Sequence, residues 1–80
     1  MVETELQQLI KSHLPKSDVY VEGDGSHFNL IVIDDDFAEL NTLARHQKIY
    51  AIVGELIKDG KLHAVNINAH TSQEWSTINK

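Results

Sequence analysis

Five histidines and no cysteine set the chemistry open to this chain of 80 residues. Any metal binding has to run through imidazole or carboxylate. A thiol nucleophile and a self-contained iron–sulfur cluster are both excluded, because each needs a thiolate. His27 stands where the chain leaves the glycine-bearing stretch "EGDG", His63 heads the run "HAV", and His46 sits inside "RHQ". The residues alone allow ordinary roles for all three. His27 reads as a polar residue opening a strand, His63 as a partly buried imidazole facing inward with Val65 and Ile67, and His46 as a core-edge helix residue. His13 and His70 are expected in solvent. The chain offers no Ser-His-Asp set at workable spacing, no phosphate-binding glycine loop and no HExxH, so enzymatic activity is not expected. Asp34, Asp35 and Asp36 are consecutive and cannot all face one ion, and a solvated loop is their ordinary explanation.

The bulk numbers narrow the field further. A formal charge of −5 with pI near 5.4, and only seven Lys and Arg residues, argues against holding nucleic acid by phosphate neutralisation. Hydrophobic content of 41% with a single proline is that of a globular chain, and the length points to one domain over residues 1–80. No apolar run is long enough to span a bilayer, and the N-terminus lacks the basic start and apolar stretch of a secretory signal. Cytoplasm is the expected location.

The elements that must position these side chains follow from periodicity. Val2, Leu6, Leu9, Ile10 and Leu14 recur at helical intervals, and Pro15 stops the helix. Asp18 to Glu22 alternates, "EGDG" turns, and His27 to Ile33 alternates again with Phe28, Leu30 and Val32 on one face. "DDDFAEL" reads as a polar break holding a short helical turn. A long helix is predicted from about Asn41 or Thr42 to Lys58, capped by Asn41 and closed at Gly60. Its apolar face is Ile49, Ile52, Val53, Leu56 and Ile57, extended backwards by Leu43, His46 and Tyr50. "KLHAVNINA" gives a third strand, with Val65 and Ile67 on one side and Leu62 and Ala64 on the other. Thr71 and Glu74 form a capping box opening a last short helix. The α-β-β-α-β-α order implies an α+β two-layer sandwich with helices on one face of a small mixed sheet. The first two strands would be antiparallel, the second and third parallel.

Three ordered strings, "GDGSHF", "ARHQKIY" and "LHAVNINAHTSQEW", together resemble BolA-like proteins, and among them the IbaG subgroup. The resemblance runs from about Leu6 to Trp75. Three departures stand out: Glu39 where the family usually has glycine, Ser72 where proline is common after the threonine, and His70 where an aromatic or polar residue is more usual. The resemblance implies a fold similar to class II KH domains without their phosphate-clamping loop. It also implies an adaptor that pairs with a monothiol (CGFS-type) glutaredoxin and shares a [2Fe–2S] cluster, with glutathione contributed through the partner. His63 then matches the family's histidine at the head of the last strand, His27 falls in its variable ligand loop, and Asp24 is the weaker alternative to His27. A cysteine-free chain can complete such a cluster only if the partner brings the sulfurs. Arg45, His46 and Lys48 become candidates for partner binding, against the ordinary reading of Arg45 and Lys48 as a solvated helix face. The alternative function is a nucleic-acid-binding transcriptional or stress regulator using its helical face, with Arg45 and Lys48 on the recognition helix. Alone, the chain is expected to be a monomer or homodimer.

Overall fold

The computed structural model describes residues 3–23 and 27–78. Val2, expected in the first apolar stripe, and Asp24 and Gly25, expected in the hairpin turn, lie outside them. Helix α1, Glu3–His13, buries Leu6 and Ile10, which fall on one side of its axis at a spacing of four. Leu14 still donates to the Ile10 carbonyl, and the chain then turns at Pro15. Strands β1 (Asp18–Gly23) and β2 (His27–Ile33) pair antiparallel, from Asp18 opposite Ile33 to Gly23 opposite Phe28. A 3-10 turn, Asp35–Glu39, follows, and Asp34 caps it by accepting from the Asp36 amide. The stretch is less of a polar break than its aspartates suggest, because Phe37 is fully buried within it.

Helix α2, Thr42–Lys58, opens on Asn41, whose side chain accepts from the Ala44 amide at 2.8 Å. Gly60 closes it with φ of 78°, a conformation that costs a side chain energy. Strand β3, Ala64–His70, then pairs parallel with β2, from His27 opposite Ala64 to Ile33 opposite His70. The sheet order is β1-β2-β3, so β2 is central. The mixed α+β architecture read from the sequence is the one observed.

One sheet face carries Val19, Phe28, Leu30, Val32, Ile67 and Ala69, and α1 and α2 lie against it with Ile49 and Val53. Three expectations about side-chain direction need correction. Leu62 does not sit on a strand opposite Val65. β3 begins two residues later, and Leu62 turns fully into the core from the preceding loop, where no strand alternation constrains it. Leu43 and Tyr50 do not extend the buried stripe. They are 65% and 43% exposed, because Leu43 stands in the first turn of α2 and Tyr50 beside, not on, the line through Ile49 and Val53. The third helix, α3 (Ser72–Ile78), buries no residue completely, but its Trp75 ring lies 6.5 Å from Tyr20 on β1 and 5.9 Å from His70 on β3. Trp75 therefore lies between the two edge strands' Tyr20 and His70, and Ile33, the register partner of His70, is buried.

Candidate metal centre

Parallel pairing decides where the histidines go. His27 is the first residue of β2 and His63 immediately precedes β3, whose first residue, Ala64, is the register partner of His27. Both imidazoles thus emerge at the same end of the sheet. Their ring centroids are 6.2 Å apart and the planes are nearly perpendicular, at 85°. Both residues are exposed. The inward-facing, partly buried role open to His63 is excluded: it precedes the strand, outside the alternation that turns Val65 and Ile67 to the core. Asp24, the alternative ligand, lies outside the described residues.

Metal–imidazole bonds of about 2.0–2.1 Å place a ring centroid about 3 Å from the ion, so two rings sharing one ion stand about 5–6 Å apart. The observed 6.2 Å lies just outside that range. The pair offers two imidazole rings, a residue type that commonly ligates metals through nitrogen. Among the described residues no group of three or more His, Cys, Asp or Glu gathers.

The surroundings hold this end of the sheet firmly. Asn66 Nδ2 donates to Asn29 Oδ1 at 2.9 Å, tying β3 to β2 two residues beyond the His27–Ala64 pair. Glu22, Gly23, Asn29, Ala64 and Asn66 border an open depression that includes His27. A Cβ on Gly23 would meet the His27 carbonyl oxygen and Phe28 Cδ1, both at 2.4 Å, so only glycine lets the end of β1 approach His27 this closely. Neither Gly23 nor the asparagine pair was singled out in the sequence, and only the alternation of β2 and β3 hinted that Asn29 and Asn66 share a face.

The other sequence candidates lie elsewhere. Arg45 is not on a solvated face: its side chain is 11% exposed and points inward. Nε donates to the carbonyls of Phe37 and Leu40, Nη1 to Ala69 O and Glu74 Oε1, and Nη2 to Glu74 Oε2. The guanidinium thus joins the 3-10 turn, β3 and α3 to α2. Its hydrogen bonds, with that of the Thr71 amide, hold the Glu74 carboxyl at about 2, well below the usual range. The capping box is formed reciprocally, Thr71 N donating to Glu74 and Glu74 N to Thr71 Oγ1. Asp35 accepts from the Ser72 amide at 2.9 Å, and that bond lowers its pKa. His46 is half-buried beside Arg45 in a cleft between α2 and β3, and Lys48 is exposed. His70 is not in open solvent: its side chain is 23% exposed and lies against Trp75, with Nδ1 4.0 Å from Glu74 Oε1. No helix among the described residues is long and apolar enough to cross a membrane.

The family described as BolA-like protein matches residues 3–74, which include both imidazoles of the pair. The chain belongs to the BolA-like family. This BolA-like chain is 35% identical over 80 residues to the acid stress protein IbaG of Escherichia coli K12, spanning 100% of the chain and 95% of that protein. Its fold is similar to that of a bolA protein homologue from Coxiella burnetii, with a TM-score of 0.83, 28% identity, and coverage of 95% of this chain and 97% of that one. It is also similar to the BolA domain of SufE1 from Arabidopsis thaliana, with a TM-score of 0.79, 26% identity, and coverage of 90% and 93%.

Proposed function

We propose that this BolA-like chain is a non-enzymatic adaptor of the cytoplasm that pairs with a monothiol glutaredoxin. In that pair it supplies His63 and His27 as ligands to a shared [2Fe–2S] cluster, for iron–sulfur trafficking or iron sensing. The observation that carries the reading is the convergence of two exposed imidazoles, 6.2 Å apart, in a chain without cysteine. A cluster of this kind needs four ligands, and two imidazoles on one iron raise its potential relative to an all-thiolate site. The missing sulfurs come from the partner's cysteine and its bound glutathione. The chain's own part is to hold two nitrogens at fixed spacing on a sheet end that another molecule can reach.

The nucleic-acid alternative has less to support it. Of the two cations it drew on, Arg45 is spent inside the fold, which leaves Lys48 on a chain of formal charge −5.

The test is to mix the chain with cluster-loaded glutaredoxin and follow absorption and visible circular dichroism. A complex should form with a changed spectrum, and His63→Ala should alter that spectrum while leaving the far-ultraviolet signal of the fold intact. No complex and an unchanged spectrum would remove the reading.

A further inference from the structure

We propose that the free edge of β3, with the groove beside it, takes an extended basic peptide of another protein as a fourth strand. The groove runs beside Ile67 to His70, at the opposite end of β3 from His63, and the proposal does not rest on the adaptor reading.

Strand pairing leaves this edge open. In a parallel ladder alternate residues of a strand bond to one neighbour, and the residues between them face away. The His70 carbonyl accepts from the Asp34 amide at the end of β2, which sets the phase. Ala64, Asn66, Asn68 and His70 therefore bond to β2, while Val65, Ile67 and Ala69 turn their amides and carbonyls outward. Arg45 takes the Ala69 carbonyl at 3.2 Å. Among the described residues no helix, loop or side chain bonds the amide or carbonyl of Val65 or Ile67. The other edge strand is guarded. On β1 Asp18 and Glu22 are exposed, and Gln7 of α1 donates to the Val19 carbonyl at 2.8 Å. Charge and cover of this kind keep other strands away. β3 has no acid, lysine, arginine or proline along its length.

The groove, of about 640 Å³, is walled by Thr42 and His46 of α2 on one side and by Ile78 of α3 on the other. Leu43, His46 and Tyr50 follow at spacings of three and four along one flank of α2, and Leu43, Tyr50 and Ile78 are exposed. A strand laid antiparallel to β3 would exchange both bonds with Ile67. The residue opposite Ile67 would point to the same, inner face, so alternate apolar side chains would meet the α2 flank. The residues between them would turn towards α3.

Charge decides what those residues are. Arg45 and Glu74 both line the groove, but the guanidinium is 11% exposed and the carboxylate 43%. With its carboxyl held at about 2, Glu74 is ionised at neutral pH, so the groove shows a negative charge. A second copy of a chain at −5 meets repulsion there, and so does a phosphate backbone, whereas lysines meet the opposite sign.

The probe is a short end-blocked peptide alternating valine and lysine, titrated into the isotope-labelled full chain. The Val65, Ile67 and Ala69 amides should shift and gain protection from hydrogen exchange, while those of Asn66 and Asn68 keep the protection of the ladder. Glutamate in place of lysine, or methylation of the valine amides, should weaken binding about tenfold or more. Val65→Pro removes an outward amide and spares the β2 ladder, and Ile78→Lys puts a like charge on a residue that is 61% exposed. Each should also weaken binding about tenfold with the far-ultraviolet signal unchanged, and Ile78→Lys decides if Val65→Pro does not fold. His63→Ala should bind the peptide as the parent does. No shift at the three outward amides, full binding of the methylated peptide, or parent affinity in Ile78→Lys each overturn the proposal. So does a chain that dimerises alone through these amides, which makes the occupant a second copy. A single-stranded DNA oligonucleotide that shifts them where the peptide does not would overturn it in favour of nucleic acid. Peptide binding with no spectral response to a cluster-loaded glutaredoxin would overturn the adaptor reading alone.

Discussion

Arg45 and Glu74, 29 positions apart in the chain, meet through a two-pronged contact, Nη1 to Oε1 at 2.6 Å and Nη2 to Oε2 at 3.1 Å. Paired N–H donors on a planar fork match a carboxylate in direction as well as charge. The contact matters because α3 is a seven-residue helix with no fully buried side chain. Its place on the molecule rests on this pair, on the Asp35–Ser72 bond and on the Trp75 ring.

Glu74→Gln should therefore loosen α3. The folded carboxyl titrates at about 2, below its ordinary 4.5, so the contribution is fully present above 4.5 and is lost as pH falls through about 2. The variant should melt earlier than the parent at neutral pH, and the two melting temperatures should converge near pH 2. Trp75 is the only tryptophan, so its emission should shift to the red in Glu74→Gln at neutral pH.

Ser72→Pro separates the backbone bond from the helix. Ser72 is the first residue of α3, where proline fits without cost to the helix, but proline has no N–H for Asp35 to accept. Asp35 should titrate closer to the ordinary carboxylate range, read from its side-chain carbon resonance, while helix content stays the same.

Leu62→Ala removes a fully buried side chain from the loop that carries His63. Denaturant unfolding should show a loss of about 2–5 kcal/mol. The His63 ring resonance should broaden, because the residue beside it has lost its anchor.

Gly23→Ala should push on the His27 carbonyl and the Phe28 ring. A cost of about 1–3 kcal/mol is expected from overpacking. The contact between the His27 and His63 rings, followed by nuclear Overhauser effects, should weaken. Gly54→Ala, where a Cβ meets nothing within 4 Å, should leave that contact unchanged.

The parts of the fold that repeat along the chain were readable from it. Alternation at Phe28, Leu30 and Val32 marked the core face of β2, Asn41 and Gly60 marked the ends of α2, and the Thr71–Glu74 spacing marked the start of α3. What repeats nothing was hidden. Arg45 looked like a surface cation because its partners, Phe37, Leu40, Ala69 and Glu74, lie on three other segments that only the folded chain assembles. Leu62 sits in a loop, where alternation carries no information. His63 falls just ahead of its strand, so its direction depended on a boundary that local sequence defines poorly. Residues 27 and 63 were each visible as histidines, but their distance is a product of strand pairing.

Antiparallel neighbours start at opposite rims, whereas β2 and β3 start at the same one. The span between the two nitrogen donors is therefore insulated from the length of the crossover that joins the strands. An extra turn in α2, or a shorter loop after it, could be absorbed without moving either ring. Chains that share this topology can keep an identical pair of donors while the number of residues between them drifts, so a fixed-spacing motif is a poor way to search for them.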